Sequence, residues 1–407
     1  MAGVGAAALD QWVQFDKDLT APAGAIGADL YVGASSSSGT GSIFFDDFSL
    51  NKIAGHSATV YMIHEGYVHQ GSGKYWSASC DLVNSLAGLL AQSGGGEYIY
   101  LYSNVSYDEP SYRWGLGLGS YYDIKLDFSY DHPNLYWNLI NDLKAKLPSQ
   151  QFIRFSYDTV NSCRWAMSLA GLEGCVAVED SLAADAVSKA ALSEKESLVT
   201  GWTEAQVWER FKAYPQANRD LFLENVTQYS SDYRYYLNDL AVAERAWIYY
   251  DPDGGEPRAT YANWMNDNAA FLGVSAGDEG ARIADFSKRG VRTIPADWSW
   301  NLATLSRCAQ LKPRSPQRNR PLTMRDLAWE DNVSYCCFVL TDGDNLQVMQ
   351  GNYSTATQWY GSTRRSVVPM GWQIPPSMHR YAPVLDSILT DPLSPMQISA
   401  KDCLLSG

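Results

Sequence analysis

Apolar positions along the chain fall into two textures that alternate. Short apolar runs such as "ATVYMIHEG" (58–66), "EYIYLYS" (97–103), "QFIRFSYD" (151–158) and "GCVAVED" (174–180) have the length and content of strands. Between them lie stripes at helical spacing. In "CDLVNSLAGLLAQSG", Leu82, Leu86, Leu89 and Leu90 share a face and Gly94 ends the helix; "NLYWNLINDLKAKL" is amphipathic and stops at Pro148; "NSCRWAMSLAGL" is a third helix. Strand and helix in alternation predict a parallel sheet. Residues 183–245 read as mainly helical, with "TEAQVWERFKAY" opening on a capping-box-like Thr203. Strands return in "RAWIYYDP", "FLGVSA" and "VRTIPADW", the last two around the helix "DEGARIADFSKRG". After a polar, basic loop (311–321), the apolar run Cys336–Leu340 reads as a buried strand that stops at Thr341-Asp342-Gly343-Asp344-Asn345, and "SVVPMGWQIPP" follows.

Residues 1–53 differ. Trp12, Val13, Phe15 and Leu19 alternate with polar residues, and two strands (29–32 and 42–50) flank a Gly/Ser turn. So few strands make no stable sheet alone, so the segment reads as the remnant of a sandwich or a docked flap. The expected organisation is a β-sandwich remnant over 1–53, an α/β domain over 54–182, and a helical segment leading into a barrel-like α/β domain over 183–407.

Composition narrows the partner. The net charge is −14, with 26 Tyr and 14 Trp. An acidic chain lacks the basic face that phosphates or anionic membranes require, so no nucleic-acid partner and no membrane insertion are expected. Aromatic-rich acidic surfaces suit neutral sugars, whose C–H faces stack on rings. The seven Cys show no metal-ligand rhythm and read mostly as small buried thiols. No signal-peptide pattern opens the chain, which reads as beginning inside a domain.

Two resemblances sharpen this. "W..F......P.GA..A.LYVG......G.IFFDDFSL" resembles the closing third of a jelly-roll carbohydrate-binding module, whose last strand often carries an Asp that holds a structural Ca²⁺; Asp46 or Asp47 matches that position. As a plain sequence, the same pair reads as a solvated strand end. Further on, "FSYDTVNSCRWAMSLAGLEGCVAVED", "FLGVSAGDEGARIADFSKRGVRTIPADWSWNLATLS", "YCCFVLTDGDNLQ" and "VPMGWQIPPSMHRYAP" resemble, in order, the glycoside hydrolases named for a GxGYxYP motif, with Thr341 in place of the usual Ser of their SDGDN signature. The resemblance covers most of 58–392. The GxGYxYP motif itself does not occur; "GLGLGSYYD" (115–123) is a look-alike in the wrong place. The resemblance implies a mostly parallel α/β unit, an incomplete (β/α) barrel, cut before that motif.

Polar residues at the C-terminal ends of parallel strands face the ligand crevice. Thr341–Asn345 stands there, Gly343 permitting a sharp turn. The expected chemistry is glycosidic hydrolysis by a carboxylate pair drawn from Glu279, Asp342 and Asp344. Asn345, Asp297, Asn301, Trp298, Trp372 and Asp158 would bind the sugar. The bland readings are an Asx turn with Asn345 as a helix cap, acids at a helix start for Asp278 and Glu279, core packing for the tryptophans, and strand-end solvation for Glu179 and Asp180. His64, Glu65 and His69 hint at metal, but i and i+5 do not share a helix face, so a deacetylase-like metal enzyme ranks low. "DGD" is formally a sugar-transferase DxD, yet no basic cluster stands near to meet a diphosphate. Serine-esterase and nucleotide motifs are absent. The expectation is a secreted or cell-surface, monomeric carbohydrate-active hydrolase acting on an oligo- or polysaccharide. It needs no cofactor, with Ca²⁺ as a structural ion only. The alternative is a glycan-binding protein without turnover.

Overall fold

The computed structural model describes residues 58–68, 78–103, 110–122, 124–225, 236–250, 257–273, 279–297, 299–308, 332–334, 336, 338–340, 345–362, 364, 367, 371–390 and 403–406. The sandwich remnant with Asp46 and Asp47, and the residues His69, Trp298, Thr341, Asp342, Gly343 and Asp344, lie outside them.

The chain is an α/β protein whose strands pair in parallel. It begins β1 (Thr59–His64), α1 (Glu65–Val68), α2 (Ala78–Ser93), β2 (Glu97–Tyr102), α3 (Pro110–Tyr122) and β3 (Lys125–Asp127). A second set is α4 (Tyr136–Leu143), β4 (Gln151–Phe155), α5 (Ser162–Glu173), β5 (Val176–Glu179), α6 (Ala183–Ala190) and β6 (Ser193–Ser197). A third runs α7 (Glu204–Lys212), β7 (Leu221–Glu224), α8 (Asn238–Glu244), β8 (Trp247–Tyr249), α9 (Pro257–Trp264), β9 (Ala270–Leu272), α10 (Glu279–Lys288), β10 (Arg292–Ile294) and α11 (Leu302–Cys308). The last comprises β11 (Val339–Leu340), α12 (Leu346–Gln350), β12 (Gly371–Ile374), α13 (Met378–Tyr381), α14 (Pro383–Thr390) and β13 (Cys403–Ser406). The strands form four short sheets, ordered β2-β1-β3, β5-β4-β6, β10-β9-β7-β8 and β11-β12-β13. Every pairing among them is parallel, the incomplete barrel-like α/β arrangement expected from the sequence.

Local signals explain most boundaries. Gly94 ends α2 at φ +64°, and the Thr203 side chain accepts the Gln206 N–H in a full capping box on α7. Two expectations fail, and one segment given no element is a helix. The segment 183–245 is not mainly helical, because it contains β6 and the wholly buried β7. "GLGLGSYY" lies in α3, where its glycines let the helix approach the sheet: a Cβ on Gly115 would stand 2.3 Å from Met62 Cε. The run before the DGDN turn is not a core strand, since Cys336, Phe338 and Val339 are exposed and β11 is only two residues long.

The core is organised by α2, α5 and α8, which pack on one another. Their first turns are tied by Asn238 Nδ2 donating to Asp81 Oδ1 (2.6 Å) and Arg164 Nη1 donating to Asn238 Oδ1 (2.8 Å). Their last turns are tied by Gln92 Nε2, which donates to the carbonyls of Gly171 (2.9 Å) and Val242 (3.1 Å). Starts meet starts and ends meet ends, so the helices run in parallel, with their first turns beneath the strand ends.

Candidate functional site

Register sets the site. Leu223 of β7 pairs with Leu272 of β9, and Leu272 with Ile294 of β10. One residue further, Glu224, Gly273 and Pro295 are level at the C-terminal edge, with Tyr249 of β8 beside Glu224. Gly273 has φ +109°, and a Cβ there would stand 2.2 Å from the Glu224 carbonyl oxygen, so only glycine fits between the two strand ends.

Phe222 and Glu224 share one face of β7. Phe222 packs edge-on to Phe286 of α10 (centroids 5.6 Å), so Glu224 also faces α10. There it forms an ion pair with Arg282 (3.9 Å) and accepts the Tyr249 hydroxyl (3.3 Å). Glu224 is fully buried. The sequence reading missed this carboxylate because it missed β7.

Helix α12, which follows the DGDN sequence, is tied to the same edge. The Leu346 N–H at the start of α12 donates to the Pro295 carbonyl (2.9 Å). Gln350, at the other end of α12, exchanges two bonds with the Trp300 backbone: its Oε1 accepts the N–H (3.2 Å) and its Nε2 donates to the carbonyl (2.8 Å). The residue after the turn, Asn345, precedes α12 half-buried, and its side chain makes no capping bond. Asp297 is half-buried on the same segment. Trp300 lies against Tyr236 (centroids 5.8 Å, planes 32° apart), both half-buried, forming an aromatic shelf beside Asp297. Glu279 opens α10, the helix after β9, so it too belongs to this edge; its side chain lies outside the described residues.

Other predicted residues have different work. Asn301 is buried at φ +56° and braces the wall: its Oδ1 accepts the Leu101 N–H (2.9 Å) and its Nδ2 donates to the Leu101 carbonyl (2.6 Å), joining the crevice to the end of β2. Trp372 is buried edge-on against Tyr353 and Tyr360, so it is core and offers no face for stacking. Asp158 is exposed beyond β4. Glu179 is not a solvated strand end. It is fully buried, with Oε2 taking the Ser181 N–H (2.7 Å), and Oε1 has no hydrogen-bond partner among the described residues. Burial pushes its pKa up. Its neighbour Asp180 is exposed and pairs with Arg154 (3.2 Å). Among the described residues no group of three His, Cys, Asp or Glu is placed to hold a metal ion.

Beneath the crevice, Asp239 in the first turn of α8 caps α11, its Oδ2 accepting the Ala303 N–H (2.8 Å). It is 1% exposed. Burial outweighs the backbone bonds and raises its pKa from the ordinary 3.8 to about 6. Below the lower value the group is protonated folded or unfolded, and there is no cost. As pH rises through this window, the unfolded chain ionises first and stability is lost, the full cost being reached above the folded value. Asp239→Asn keeps an acceptor for Ala303 and removes the charge. It is expected to stabilise the protein by about 3 kcal/mol at pH 8 and by nothing measurable at pH 3.5, in denaturant melts at both pH values. An equal gain at both would show that the buried charge is not its source.

Comparison with known proteins bears on the fold and on one segment of the chain. Residues 332–391, which include the DGDN turn, match the family model described as "GxGYxYP putative glycoside hydrolase C-terminal domain". The fold is similar to the crystal structure of a "putative hydrolase" from Bacteroides thetaiotaomicron, with TM-score 0.69 and 21% identity, over 86% of this chain and 63% of that one. The chain thus spans a little under two thirds of that protein. No curated protein matches the chain by sequence.

Proposed function

We propose that the protein is a carbohydrate-active hydrolase that cleaves glycosidic bonds between two carboxyl groups, one on the DGDN turn and the other Glu224 or Glu279. The observation that carries this reading is the bond from Leu346 to Pro295. It ties Leu346, the residue that follows the DGDN sequence in a segment matching the glycoside hydrolase family model, to the end of β10 that is level with Glu224 of β7. Asp342 or Asp344 would supply the second carboxyl group, and their separation from the first would select retention or inversion. Trp300 and Tyr236 would stack the sugar, with Asn345 and Asp297 bonding its hydroxyls. Such chemistry needs no cofactor, and Asp46 or Asp47 would hold Ca²⁺ only in the N-terminal segment.

A second reading, a glycan binder without turnover, is favoured by one fact: Glu224 is fully buried and ion-paired. A screen against plant and host glycans separates the two. Under the hydrolase reading, reducing ends are released and Asp342→Asn or Asp344→Asn removes the activity. Full turnover in both variants, or binding without any cleavage, would overturn it.

A further inference from the structure

The crevice has a neighbour. Asn301 is bonded on both sides to Leu101, so Tyr102 on β2 and Trp300 flank one joined pair of residues. At that end of β1 and β2, five side chains gather around the Asp131 carboxylate. Asp131 Oδ1 accepts the His64 N–H (2.7 Å), and Oδ2 accepts the Tyr102 hydroxyl. The His64 ring lies edge-on to Tyr102 (5.4 Å) and 5.0 Å from Tyr67; Tyr112 lies 5.0 Å from Tyr102; Tyr67 and the exposed His132 have nearly parallel planes, with centroids 6.4 Å apart. Tyr102 is buried, and its pKa is raised by burial first and then by Asp131, so its proton stays on the phenol.

This arrangement differs from core packing in what it leaves uncommitted. Tyr67 and Tyr112 are half-buried, and among the described residues neither hydroxyl has a hydrogen-bond partner. His64 Nδ1 accepts the Gly66 N–H (3.0 Å), which places the proton of the neutral ring on Nε2 as a donor. Asp131 is held from two sides yet keeps lone pairs for further donors. Aromatic faces at the rim, with oriented donors and a rigid acceptor behind them, complement a pyranose ring: C–H faces to stack and hydroxyls to pair. The Asp131 carboxylate stands at the centre of the cluster in a chain of net charge −14, which selects against uronic or sulfated sugars.

We propose that this cluster is a second sugar-binding subsite, holding a neutral pyranose unit of the same chain that is cleaved in the adjoining crevice, with Tyr67 and His132 as the stacking wall. The inference rests on the hydrolase reading for the identity of the chain, but its test does not depend on turnover. Titration calorimetry on the intact protein would measure maltotetraose, cellotetraose, xylotetraose, galactotetraose and tetragalacturonate. At least one neutral tetrasaccharide is expected to bind, and tetragalacturonate more weakly. Tyr67→Ala is expected to weaken that binding by about fivefold to tenfold, Tyr67→Phe by less than about twofold, and His132→Ala, on a separate loop, in the direction of Tyr67→Ala. The subsite is overturned if wild type binds no neutral tetrasaccharide, or if Tyr67→Ala and His132→Ala both bind like wild type. Cleavage is assayed in parallel with Asp342→Asn. Binding that depends on Tyr67 without any cleavage keeps the subsite and rejects the hydrolase reading. Cleavage that depends on Asp342 with binding indifferent to both variants rejects the subsite alone.

Discussion

Glu224→Asp is expected to lower kcat by about 10²-fold with little change in KM, the size of effect that a 1 Å misplacement of a reacting group produces. The shorter side chain keeps a negative charge for Arg282 but draws the carboxylate back toward β7. Glu224→Gln is expected to cost more, about 10²–10⁴-fold, because no charge remains to serve as base, nucleophile or partner of a developing oxocarbenium ion. The amide also removes the carboxylate that faces Arg282, which is only 6% exposed, and breaking a buried ion pair destabilises the fold. The aspartate variant is therefore the cleaner probe. Its melting temperature should stay within a few degrees of wild type, as measured by calorimetry beside the kinetics. If Glu224→Asp keeps full activity, Glu224 is a structural counter-ion to Arg282, and the carboxylate pair must be completed by Glu279.

That residue also marks where sequence reading stopped. Isolated apolar runs between clear breakers were legible: β1, β2, β4 and β5 with their intervening helices lie where the pattern put them, and the Thr203 box opens α7 as expected. β7 was not, because Leu221-Phe222-Leu223 is buried on both sides. Such a run has no alternation, so periodicity cannot tell it from a turn of buried helix. α3 was given no element, its segment being read only as a motif look-alike. Its glycines lack the Cβ atoms that would meet Met62 and Leu126. At the candidate site, residue type alone did not tell inward from outward side chains. After β10, Asn301 is turned inward to β2 while Trp300 faces Tyr236. Trp372 reads as a sugar shelf until its neighbours Tyr353 and Tyr360 are known. Hydrophobic content likewise gave Phe338 and Val339 a core that they do not have.

Gly171→Ala is expected to destabilise the protein by about 2–3 kcal/mol, the range for overpacking a tight contact. A Cβ at this position of α5 would lie 2.3 Å from the Val242 carbonyl oxygen, 3.0 Å from its carbon and 3.1 Å from its Cα. All three are backbone atoms of α8, so no side chain can rotate away, and the helices must separate. Separation stretches the Gln92 fork onto the Gly171 and Val242 carbonyls and, at the other end, strains the Arg164–Asn238–Asp81 bonds beneath the crevice. The helix preference of alanine returns up to about 1 kcal/mol, already counted in the net figure. Gly94→Ala is the control. Its φ is +64°, with nothing within 4 Å of the new methyl, so it should cost only the left-handed strain, about 1 kcal/mol. The two substitutions add the same atom, one to a close helix crossing and the other to open space, and the difference between their denaturant midpoints measures the crossing. Because the first turns of α2, α5 and α8 underlie the strand edge that ends in Glu224, Gly171→Ala should also reduce turnover at temperatures well below its melting point, whereas Gly94→Ala should not. Equal midpoints for the two variants would mean that α5 and α8 do not approach this closely, and that the crevice is built on something other than their contact.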